Sequence, residues 1–126
     1  MQVAERKARD RGLTARFLQR DARKLADLGE LFDTVLDCGL FHIFDDDDRA
    51  AYVASVRAVL PSGGRFFLLC FSDRQPGDQG PRRVTENDID VTFAQRWRID
   101  STERTTLASP TDPDGIQGWL VAFTRT

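Results

Sequence analysis

Several kinds of residue are scarce in this 126-residue sequence, and each shortage excludes something. Cysteine occurs twice, at Cys38 and Cys70, far apart and with no CxxC pair. That argues against a disulfide or zinc framework and for buried thiols in a reducing cytoplasm. Histidine occurs once, so His42 is the only side chain that ordinarily titrates near neutrality. Lysine is confined to Lys7 and Lys24, and 18 basic residues against 20 acidic ones leave a net charge of −2. This balance lacks the basic bias of a nucleic-acid footprint. No apolar run approaches the roughly 20 residues of a membrane span. No basic segment followed by an apolar one marks a signal peptide. There is no internal repeat, and no glycine-rich nucleotide loop. The length allows one domain, residues 1–126, with a modest core.

What is present is a run of alternating helix and strand signals. Residues 3–11 are rich in alanine and charge and predict a helix that Gly12 stops. Residues 15–19 predict a short strand, 21–29 a short helix with Ala22, Leu25 and Leu28 on one face, and 32–37 a strand. Residues 46–60 carry Tyr52, Val53, Val56, Val59 and Leu60 at helical spacing. The acids ahead of this segment suit a helix start, and Pro61 with Gly63 and Gly64 ends it. Residues 65–71 are apolar at successive positions, as in a central parallel strand covered on both faces. After a polar loop, Thr85 and Asp88 form a capping-box pattern. Alternation from Trp97 predicts a half-buried strand running to Leu107, and 119–124 predict a last buried strand after a turn at 109–117. Trp97 and Trp119 read as packing residues. The order implies an α/β fold, with parallel strands joined by right-handed crossovers and an antiparallel pair at the end.

Three stretches together resemble the class I S-adenosylmethionine-dependent methyltransferases. RDARKL at residues 20–25 is similar to that family's Asp-Ala turn. FDTVLDCGLFH at 32–42 is similar to its fourth strand and following loop, and VLPSGGRFFLLCF at 59–71 to its Gly-Gly turn and fifth strand. The loop FSDRQPGDQGPRRVT looks closest to small-molecule enzymes of the thiopurine-methyltransferase-like type. The resemblance implies an incomplete Rossmann-like sheet, mostly parallel, with an antiparallel C-terminal strand pair. It also implies that the N-terminal cofactor segment, with its glycine loop, is missing, either because the chain is a truncated relative or because the protein starts earlier than Met1, so that the strand at 32–37 lacks a neighbour. An exposed strand edge invites pairing. Either residues 15–19 fill the gap, or a second copy or completing partner chain does.

By the same resemblance, the cofactor is S-adenosylmethionine and the acceptor a small molecule. Asp21 would accept from the adenine amino group while the Ala22 amide faces the ring. Asp37, Gly39 and Leu40 would line the methionine side. Beside these roles stand simpler ones: Asp21 also suits a helix cap, and Asp37 a strand-end turn. His42 is the candidate general base, or a structural histidine. Arg82 and Arg83 would hold an anionic acceptor, or belong to a solvated loop. The four acids at 45–48 read as a helix start and not as a metal site. Against the enzyme stands a non-catalytic methyltransferase-like interaction or regulatory subunit, favoured by the missing loop. A nicotinamide oxidoreductase would need the same absent glycines.

Overall fold

A computed structural model describes residues 2–78 and 80–126. The first helix, α1, spans Gln2–Asp10 and ends where Gly12 turns left-handed, with the Leu13 amide returning to the Ala8 carbonyl at 2.8 Å. A kinked 3-10 segment, Ala22–Leu28, follows the Asp21 cap. Strand β1 is Thr34–Cys38, helix α2 is Asp46–Ala58 and strand β2 is Arg65–Phe71. Helix α3, Glu86–Thr92, opens on the expected Thr85–Asp88 capping box. Strands β3, Trp97–Leu107, and β4, Ile116–Arg125, close the chain.

The sheet order is β1-β2-β4-β3. β1 and β2 run parallel, whereas β4 is antiparallel to both β2 and β3. This is the mixed, incomplete α/β sheet that the sequence implies, with its parallel part reduced to β1 and β2. One expected strand does not form: residues 15–19 have no regular structure. A strand exists through its ladder, and this stretch has no partner backbone to satisfy its amides. The first of the two expected repairs is therefore absent, and β1 remains an edge strand.

The register sorts side chains onto two unlike faces. Val35, Phe66 and Phe123 align across one face, followed by Asp37, Leu68 and Val121. Here Phe66 stacks on Phe123 at 5.7 Å, Phe123 on Phe93 at 3.9 Å, and Trp97 meets Phe93 edge-on at 5.5 Å. Tyr52, Val53 and Val56 of α2 and Ile89 of α3 belong to the same buried cluster. The other face carries Leu36, Cys38, Phe67, Leu69 and Leu120. None of these five is buried, and Leu36 is 75% exposed. So β2 is central, as expected, but covered fully on one face only. Its second apolar face lacks a layer of its own among the described residues.

This asymmetry predicts unequal mutational costs. Phe66→Ala should destabilise the chain by about 3–5 kcal/mol through cavity formation. Leu36→Ser should change stability by no more than about 0.5 kcal/mol. Urea unfolding of both variants checks this, and comparable losses would contradict the one-faced core.

Candidate functional site at the carboxyl edge of the sheet

The end of β1 is organised by Asp37, which is buried on the packed face. Its Oδ1 accepts from the Leu40 amide at 2.7 Å. Its Oδ2 accepts from the Phe41 amide at 3.0 Å and from the Tyr52 hydroxyl of α2 at 2.6 Å. The carboxylate thus fastens strand, loop and helix together, and a cofactor amino group would have to share its oxygens. Gly39 turns left-handed at φ +92°, a conformation other side chains rarely hold. Its amide still reaches the Leu69 carbonyl at 3.0 Å. Leu40 packs, partly buried, against the core.

His42 extends this arrangement. The ladder between β1 and β2 ends at Cys38 and Leu69, and the next inward-facing amide of β2, at Phe71, donates to His42 Nδ1 at 3.0 Å. The imidazole meets the Phe71 ring edge-on at 4.9 Å, and its backbone partner is Gly39. Burial pulls the His42 pKa below its ordinary value, against a smaller opposing pull from Asp37. Only 4% exposed, His42 is a neutral clamp between loop and strand, and acting as a base would require that clamp to open. Burial also raises the Tyr52 hydroxyl well above its usual range and pushes the Cys70 thiol up to about 12, which leaves Cys70 unreactive.

The Asp21 turn reaches the same end of the molecule. Asp21 caps the 3-10 segment by accepting from the Arg23 amide at 2.9 Å. The Arg23 guanidinium grips both oxygens of Asp21, at 3.0 and 3.1 Å, and reaches Asp48 at 3.0 Å. That grip, with the amide bond, holds the Asp21 carboxyl below its usual pKa. Ala22 packs against the core, and the Leu25 amide is tied to Ser55 of α2 at 2.8 Å. Three of the four acids take separate partners, as suits a helix start: Asp45 caps α2 through the Asp48 amide, Asp46 pairs with Arg82, and Asp48 with Arg23. Among the described residues no three metal-ligating side chains converge.

Beyond β2 the chain opens a cleft of about 600 Å³ between the loop after Phe71 and the turn joining β3 to β4. Phe71, Gln75, Pro76, Arg83, Thr111, Asp112 and Ile116 line it. The two arginines part company here. Arg83 lines the cleft and lies over the Phe71 ring at 5.3 Å, while it donates to the Pro81 carbonyl at 2.8 Å. Arg82 turns away to Asp46 and the Phe44 carbonyl, which fastens the loop to the start of α2. Sequence reasoning missed Gln75, Thr111 and Ile116. The antiparallel pairing of β3 with β4 is the signal that places their turn at this edge.

The sequence family described as a methyltransferase domain matches residues 1–64. The chain belongs to this family. It is 27% identical over 120 residues to the 2-heptyl-1-hydroxyquinolin-4(1H)-one methyltransferase of Mycobacteroides abscessus, covering 93% of this chain and 52% of that protein. A solved structure concerned with conversion of a disulfide bond into a thioacetal group during echinomycin biosynthesis superposes with a TM-score of 0.83. It is 29% identical and covers 98% of this chain, which in turn covers 61% of it. A SAM-dependent methyltransferase of Methanosarcina mazei superposes with a TM-score of 0.79 at 19% identity, covering 98% of this chain and 76% of its own, and so shares the fold. This methyltransferase domain spans about half the length of the Mycobacteroides relative. S-adenosylmethionine is the cofactor that the family and fold indicate. No helix among the described residues is long and apolar enough to cross a membrane.

Two predictions concern the clamp. Because the folded pKa of His42 lies below its ordinary 6.5, the unfolded chain binds the proton first as pH falls. The contribution of His42 should be complete above about pH 6.5 and decline below it. Against His42→Gln, which can still accept the Phe71 amide, the wild-type advantage measured by urea unfolding should shrink between about pH 7.5 and 5.5. Parallel pH slopes would refute a neutral His42. Tyr52→Phe should cost about 1–3 kcal/mol by leaving Asp37 one donor short, and a neutral result would remove Tyr52 from the staple.

Proposed function

We propose that this chain forms the acceptor side of an S-adenosylmethionine-dependent methyltransferase acting on a small molecule. The observation that carries the reading is the cleft beside Phe71 and Arg83, opening at the carboxyl end of β2 in a chain of this family. Ligands of open α/β sheets bind at that edge. The Mycobacteroides relative, named for a hydroxyquinolinone, supports a planar heteroaromatic acceptor. So does the ring of Phe71 in the cleft wall. This acceptor class agrees with the thiopurine-methyltransferase-like character of the loop after β2.

When bound, the cofactor supplies an electrophilic methyl group. Asp21, Ala22, Asp37, Gly39 and Leu40 would line its adenine and methionine sides. The Cβ direction of Gly39 is filled by the His42 imidazole, so a cofactor would have to approach the turn from its other side, and the Asp21 oxygens are engaged with Arg23 and would need to be shared. Arg83, and not Arg82, would face the acceptor. Transfer to a good nucleophile depends chiefly on in-line placement, so positioning by the walls would account for most of the rate. His42 contributes by holding the Gly39 loop in register with β2.

The sequence has no glycine-rich loop to hold the rest of the cofactor, and a second copy would bring none, so the complete site would need a further segment of different sequence. The uncovered face around Leu36 and Leu69 supports this. The same absence favours a second reading, a non-catalytic methyltransferase-like subunit. Cys70 is buried as expected, but Cys38 is exposed on the uncovered face of β1; two thiols outside any disulfide suit a reducing, cytoplasmic setting for either reading.

Calorimetric titration with S-adenosylhomocysteine, with the oligomeric mass measured in the same buffer, separates the readings. The enzyme reading expects micromolar binding, weakened about tenfold by Asp21→Ala through loss of a hydrogen bond. A folded chain that does not bind rules out a stand-alone enzyme and leaves a site completed by another segment, or a non-catalytic subunit.

A further inference from the structure

Gln75 is held at every polar group but one. Its amide donates to the Ser72 carbonyl at 3.1 Å, and its carbonyl accepts from Arg83 Nε at 3.3 Å. Its side-chain Oε1 accepts from the Gln117 amide of β4 at 2.8 Å. That amide can only donate, so the oxygen must face it, and this settles which branch of the carboxamide is the amino group. Nε2 is the group left over. It makes no hydrogen bond among the described residues, yet it is not one of the polar atoms sealed from solvent without a partner. Gln75 is half-buried and lines the cleft of about 600 Å³. Two donor hydrogens are thus offered at the cleft wall by a side chain that is tied down.

The charged groups of the cleft serve other ends. The Arg83 guanidinium donates to the carbonyls of Pro81, Gln75 and Pro76, at 2.8, 3.3 and 3.3 Å, and so braces its own loop from within. Asp78 and Asp112 add two negative charges to the same lining. An anion placed between them meets repulsion, against an arginine already engaged with its loop. A neutral oxygen acceptor meets no such repulsion. Phe71, Pro76 and Ile116 supply apolar contact for the body that carries it.

Resting on the acceptor-side reading above, we propose that the cleft selects a neutral heteroaromatic acceptor with a ring carbonyl, which takes a hydrogen bond from Gln75 Nε2. Gln75 is then a specificity-determining residue. A ring without the carbonyl covers the amino group and leaves it unpaired, which is the basis of discrimination by a polar site. The bond requires no rearrangement of the wall, because Oε1 stays on the Gln117 amide while Nε2 is filled.

The test measures binding of 4-quinolone and of indole to the full chain by calorimetry. Both are planar bicycles with one ring N–H, and only the first has a ring carbonyl. 4-Quinolone should bind at least about fivefold more tightly than indole, and at least about fivefold more tightly than the anion quinoline-4-carboxylate. Gln75→Glu keeps an oxygen for the Gln117 amide and replaces the donor with an acceptor. It should abolish the preference for 4-quinolone without weakening indole. In isotope-labelled wild-type chain, the side-chain amide signals of Gln75 should move with 4-quinolone and not with indole, and this decides the matter if the variant does not fold. Equal binding of 4-quinolone and indole, equal weakening of both by Gln75→Glu, unmoved Gln75 signals, or a carboxylate bound as tightly as the quinolone would overturn this proposal alone. If none of the three ring compounds binds, the acceptor-side reading falls with it.

Discussion

The carboxylate of Asp37 is the point on which the carboxyl edge depends. It is buried and accepts from two loop amides and the Tyr52 hydroxyl. A buried carboxylate is tolerable only when its lone pairs are met, so this residue dictates its surroundings. The loop must fold back over it, and α2 must present Tyr52 to it. Phe41, positioned by its own amide on Asp37, then becomes the floor beneath the Arg49 guanidinium. His42, one residue on, is placed to take the Phe71 amide where the strand ladder stops. The wall of the cleft at Phe71 is therefore coupled, through one side chain, to the end of β1.

The two faces of the sheet divide the chemistry. The packed face carries the stacked aromatics and helices α2 and α3. The open face carries Leu36, Phe67 and Leu69, which alternate with the buried set because side chains of a strand point to opposite sides in turn. A strand as apolar as β2 is suited to two covered faces, and here one cover comes from elsewhere or not at all.

Much of this was legible in the residues. The run 65–71 is observed as β2, and the 46–60 helix lost only its last two residues. The Thr85–Asp88 box is a local bond between neighbours, and local bonds are written in sequence. The strand expected at 15–19 failed because a strand needs a partner backbone, which no local pattern reveals. His42 and Asp37 stood out in the sequence as site candidates. Their engagement inward, with Phe71 and Tyr52, followed from register and burial. Arg82 and Arg83 are adjacent and alike in sequence, yet one serves α2 and the other the cleft.

By itself, then, the sequence determined the order of the elements from β1 onward, the helix caps, the identity of the central strand and the family. Each rests on neighbours within a few residues or on periodicity along one segment. Only the tertiary structure decided which face of β2 is covered and that His42 is a neutral clamp. It alone paired the turn near Thr111 with Arg83 and tied Gln75 to β4 by its oxygen. Those outcomes depend on which distant backbones and side chains meet, and on how far each group is removed from water. Neither is encoded at any single position.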